Sequence, residues 1–178
     1  MAAPLGTMSR AEVETLLRRY SVDVAKKLLG GCGLQLQAQS ESAALASQGF
    51  SLLGIVGFTG RQIAGTLVLG ATKEPLGCGR PQGGSHRDWI AELANQLLGG
   101  VKNRVLPHGI EFYSVPPTVV SGLKLAPMTS ETTFDPVIFS CADGAVCLWI
   151  EVDVSDPYPL SRAPRPSEIP LEGEVLIF

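Results

Sequence analysis

The chain has 178 residues, 45% hydrophobic and 17% charged, with a formal net charge of −3. That length suits one domain with a sizeable core, and the composition is globular rather than disordered. Both signs of charge are scattered along the chain, so it lacks the basic patch of a nucleic-acid binder, and neither DNA nor RNA is expected as a partner.

The first eight residues hold no positive segment followed by an apolar one, so no secretory signal is expected. Apolar runs such as Val146–Ile150 fall far short of the roughly 20 residues that cross a bilayer, so no membrane partner is expected either. The four cysteines, Cys32, Cys78, Cys141 and Cys147, form no C-x-x-C pair. With only His86 and His108 to join them, a metal site is not expected. Cys141 and Cys147 sit in apolar, strand-like sequence and read as small core residues. The protein is expected in a reducing, cytoplasmic setting.

In chain order, Ser9 to Leu29 reads as a first helix. Ser9 with Glu12 three residues on is a capping-box pattern, and Val13, Leu16, Leu17, Tyr20, Val24 and Leu28 recur at helical spacing. Gly30 and Gly31 end it. Strand signals follow: alternation over Leu34–Ala38, then Leu52–Phe58 and Gln62–Leu69, separated by Thr59-Gly60-Arg61 as in a hairpin. Thr72 to Ser85, rich in Gly and Pro and containing Cys78, reads as a loop. A second helix spans His86 to Leu106 and is stopped by Pro107 and Gly109. Further strands are predicted at Glu111–Val115, Thr118–Leu123, Pro136–Cys141 and Val146–Val154. Residues 8–156 are therefore expected to form one α+β domain, an antiparallel-rich sheet with two long helices packed on it. Residues 157–178 read as a Pro-rich tail without regular structure, ending in the apolar run Glu174–Phe178.

The second helix carries the chemistry. At roughly 100° per residue, Ile90, Ala94, Leu97, Val101 and Val105, with Leu93 alongside, form one apolar stripe. The other side presents Asp88, Glu92, Asn95 and Gly99 within about 60° of one another. Glycine inside a helix costs roughly 1 kcal/mol relative to alanine, and Gly100 repeats the cost. Close approach of another surface to the helix backbone would offset it. A solvated polar back, with no function, is the simpler reading of such a face.

Asp88-x-x-x-Glu92-x-x-Asn95, followed by Gly99 and by Pro116-Pro117 downstream, resembles the signature of the CheC/CheX/FliY phosphatase family. Gly57-Phe58-Thr59-Gly60 and Gly65–Leu69 upstream are similar to that family's glycine-marked hairpin, so the likeness spans roughly Val13 to Val154. The first helix lacks an E-x-x-N, which makes the chain similar to the single-site CheX form. The resemblance implies a phosphatase acting on the aspartyl-phosphate of a CheY-like response regulator. Asn95 would orient the attacking water and Glu92 would pair with the regulator's lysine. Asp88 and Gly99 would lie in the docking surface. It implies no cofactor in this chain, with Mg2+ supplied by the regulator, and it implies a homodimer. The alternatives are a non-catalytic module of the same fold that binds a regulator or flagellar-switch component, and an unrelated α+β dimer whose polar helix face is only solvated.

Overall fold

A computed structural model describes residues 6–31, 33–36, 49–72, 85–127, 136–141 and 144–160. The Gly- and Pro-rich stretch 73–84 with Cys78, the side chain of Cys141, Cys32 and everything beyond Leu160, the Glu174–Phe178 run included, lie outside these residues.

A short strand β1 (Thr7–Met8) leads into helix α1 (Arg10–Gly30). The capping box predicted from Ser9 and Glu12 is present: the Ser9 hydroxyl accepts from the Glu12 N–H at 3.3 Å, and the Glu12 carboxylate accepts from the Ser9 N–H at 2.8 Å. The bond from the Ser9 backbone N–H, with a second one donated by the Ser9 hydroxyl to Glu12 Oε2 at 2.8 Å, holds the Glu12 carboxyl below its ordinary range.

The sheet is built from β2 (Gln35–Leu36), β3 (Phe50–Thr59), β4 (Ile63–Ala71), β5 (Tyr113–Ser114), β6 (Thr118–Leu125), β7 (Val137–Cys141) and β8 (Gly144–Val154). All its pairings are antiparallel, in the order β2-β7-β8-β4-β3-β5, with β6 also pairing with β3. The predicted β3–β4 hairpin is present, turning through Gly60–Gln62 and closed by the Gly60 N–H on the Ile63 carbonyl at 2.6 Å. The strand predicted over Glu111–Val115 shortens to two residues. Pro116 and Pro117 have no N–H to extend the ladder, although the Val115 N–H still reaches the Gly57 carbonyl at 3.0 Å.

Helix α2 (His86–Val105) and a 3-10 turn, Leu106–His108, complete the layer on one sheet face. Alternation along β3 sends Leu52, Val56 and Phe58 toward the helices, into one large core with Leu17, Leu97 and Val101. Leu53, with Val68, Cys147 and Trp149, forms a second buried cluster. Burial drives the Cys147 thiol well above its ordinary range, which fits the inert core residue the sequence predicted.

The chain after Asp156 departs from expectation. Tyr158–Pro159 form a strand, β9, paired with β1, and Tyr158 is buried with its hydroxyl accepting from the Glu111 N–H at 3.4 Å. A proline is admissible there because a two-stranded ribbon has open edges that need no N–H, and a buried aromatic ring outweighs the poor local propensity. The packed part of the chain therefore reaches Leu160.

Candidate functional site

The two sides of α2 divide as the periodicity predicts. Ile90, Ala94, Leu97, Val101 and Val105 are completely buried, joined by Leu98, Leu93 and Trp89, while Asp88, Glu92 and Asn95 are exposed. The helix is held tightly from beneath. A Cβ on Gly54 of β3 would stand 2.9 Å from the Ile90 carbonyl oxygen, so only glycine lets the helix lie this close to the strand. On the α1 side, a Cβ on Gly100 would stand 2.7 Å from Val24 Cγ1. The expected close approach is thus realised at Gly100 by a neighbouring helix. Gly99 is different: nothing lies within 4 Å of where its Cβ would be.

The N-terminus of α2 is capped by Ser85, whose hydroxyl accepts from the Asp88 N–H at 3.0 Å and donates to Asp88 Oδ2 at 2.6 Å. Asp88 therefore closes the helix end, where a carboxylate also complements the positive end of the helix dipole. The pattern Ser85-x-x-Asp88 ahead of an apolar run signals this cap in the sequence. Beside it, Arg87 donates to Ser121 Oγ at 2.9 Å and to the Val119 carbonyl at 3.1 Å, tying the first turn of α2 to strand β6. Near the far end, Lys102 Nζ sits 5.4 Å from the centre of the Tyr113 ring on β5, a cation–π contact. Periodicity does not reveal Arg87 or Lys102, because their partners come from strands that follow in the chain.

Between these braces lie the two residues that the family resemblance marks. Glu92 Oε1 accepts a hydrogen bond of 2.7 Å from Gln96 Nε2, one turn further on. The Asn95 side chain, three residues from Glu92, has no hydrogen-bond partner among the described residues. Both side chains are exposed on the outer side of α2. Two depressions in the protein surface are lined instead by the β3–β4–β8 end of the sheet, around Thr59, Ala64 and Asp153, and α2 contributes to neither.

The remaining titratable candidates are placed as follows. His86 is exposed at the helix start. His108 is exposed but meets the Tyr20 hydroxyl at 2.8 Å, linking the 3-10 turn to α1. Among the described residues, no three His, Cys, Asp or Glu side chains gather to hold a metal ion, and no helix is long and apolar enough to cross a membrane.

No family model matches the chain, and no curated protein does. Solved structures do. The chemotaxis protein CheX of Vibrio vulnificus superposes with a TM-score of 0.58 at 20% identity, over 78% of this chain and 95% of that one. A CheC-like superfamily protein from Shewanella sp. PV-4 gives 0.60 at 21% identity, over 78% and 97%. The protein in the CheX–CheY–BeF3–Mg2+ complex from Borrelia burgdorferi gives 0.54 at 15% identity, over 78% and 96%. The architecture, two helices on one face of an antiparallel sheet, is the α+β fold that the sequence pattern predicted. It is the CheC/CheX fold.

The two adjacent glycines of α2 make opposite predictions. Gly99→Ala should raise stability in chemical denaturation by about 1 kcal/mol, because the helix gains propensity and nothing is displaced. Gly100→Ala should bring no gain or a loss, since overpacking costs of about 1–3 kcal/mol offset the same propensity. Equal gains at both positions would contradict the helix packing described.

Proposed function

We propose that the chain is a CheX-like phosphatase that hydrolyses the aspartyl-phosphate of a CheY-like response regulator. The observation that carries the proposal is the pairing of Glu92 and Asn95 on the open side of a helix whose other side is locked into the core. The same fold occurs in a protein solved in complex with CheY, BeF3 and Mg2+, which supports a regulator of that kind as the partner.

An acyl phosphate is already reactive, so the catalyst's task is mainly to place water in line with phosphorus. Asn95 suits this: its carboxamide oxygen accepts from the water and its NH2 donates, and neither titrates near neutral pH. Water oxygen bonds to phosphorus, the bond from phosphorus to the aspartyl oxygen breaks, and aspartate and inorganic phosphate leave with release of a proton. Glu92 offers a carboxylate to the regulator's active-site lysine, a charge-assisted bond that fixes the register of docking. Gly99 leaves room for the regulator's loops, and Asp88 borders the contact while it caps the helix. The Mg2+ that offsets phosphate charge is held by the regulator, and this chain supplies no cofactor. A cytoplasmic site of action follows from such a substrate.

The chain would work as a homodimer. The exposed large hydrophobic residues among those described, Tyr113, Val115, Val120 and Leu123, all lie on or beside β5 and β6, and Leu123 is 91% exposed. An apolar sheet edge of this kind favours a protein contact.

Decay of phosphorylated regulators from the same cell, followed in Mg2+, tests the catalytic reading. The intact chain should accelerate decay, and Asn95→Ala should lower the rate about 100-fold, the loss usual for one positioned catalytic group. Because Asn95 is exposed, the variant should keep its stability to within about 0.5 kcal/mol. Binding with no acceleration would favour the non-catalytic module instead. For the dimer, sedimentation should show Leu123→Glu shifting the mass toward the monomer; an unchanged mass would place the contact elsewhere.

A further inference from the structure

Gln96 was not singled out by the sequence, yet it is the residue that touches the acid. Its Nε2 donates to Glu92 Oε1 at 2.7 Å, and both side chains are exposed on α2. At roughly 100° per residue, Gln96 projects about 40° to one side of Glu92 and Asn95 about 60° to the other. Gln96 thus draws the carboxylate toward the α1 side of the helix, away from the amide.

That direction matters chemically. A carboxylate and a side-chain amide three residues apart on a helix are neighbours and can bond to each other. Such a bond would turn the Asn95 NH2 onto Glu92 and fix the amide plane in an orientation set by this chain rather than by water and phosphate. In the structure the Asn95 side chain has no hydrogen-bond partner among the described residues, as expected if Gln96 holds Glu92 back.

We infer that Gln96 is a positioning residue: by tethering Glu92 it keeps the Asn95 amide disengaged and one carboxylate oxygen presented outward. The inference rests on the phosphatase reading for its purpose, but its physical content, the separation of two side chains, does not. An exposed bond of this type biases a helix pair only modestly, so removing it should cost about 1.5- to twofold in turnover at saturating regulator, in line with the strength of such pairs.

The test follows the Asn95 side-chain NH2 resonances in nitrogen-15-labelled protein. Gln96→Leu, which keeps the bulk and removes the donor, should move them. Adding Glu92→Ala to Gln96→Leu should abolish that movement relative to Glu92→Ala alone, and Gln96→Lys, which restores a donor to Glu92, should return them toward their original position. Turnover should fall about 1.5- to twofold in Gln96→Leu with helix content unchanged. Asn95 resonances indifferent to Gln96→Leu, or moved equally when Glu92 is absent, would overturn the inference. This outcome is independent of activity: a chain that fails to accelerate dephosphorylation at all defeats the phosphatase reading, while the resonances still decide the role of Gln96.

Discussion

The close seating of α2 on β3 governs everything outside it. Gly54 removes the side chain that would meet the Ile90 carbonyl, and Gly100 does the same against Val24 of α1. With the helix sunk to that depth, the stripe from Ile90 to Val105 is dry, and the rotation of α2 about its own axis is set. A helix that rolled by one residue would bury Glu92 or Asn95, at the cost of an unpaired buried polar group. The outward display of an acid and an amide is therefore a consequence of core packing, reinforced at the ends by Ser85, Arg87 and Lys102.

Much of this was legible in the sequence because it is local or periodic. The cap of α1 is written in Ser9 and Glu12, the two faces of α2 in the 3.6-residue repeat, and the β3–β4 hairpin in the glycines around Thr59. What escaped depends on partners distant in the chain. Arg87 finds Ser121 and Val119 only once β6 is placed, and Tyr158 is buried against the main core where β9 pairs with β1. The Pro-rich composition after Asp156 argues for an unstructured tail, and tertiary burial of one ring outweighs it as far as Leu160. The pair Glu92 and Asn95 was marked by family resemblance. Periodicity alone could place them on one face but could not separate a functional face from a solvated one.

Among the described residues the exposed face of α2 offers an acid and an amide, while the Cys147 thiol is buried in the core, where desolvation raises its pKa. A side-chain amide that can both accept and donate, beside a tethered acid, is equipped to orient water and to meet a cationic group.

The most direct measurement of this account is the footprint of a CheY-like regulator on the chain. Amide resonances of nitrogen-15-labelled protein would be followed during titration with a regulator held in its phosphorylated state in Mg2+. The account predicts that the largest changes fall on the outer face of α2, centred between Glu92 and Gly99. Changes confined to the sheet face around Thr66 and Glu151, with α2 unmoved, would contradict it.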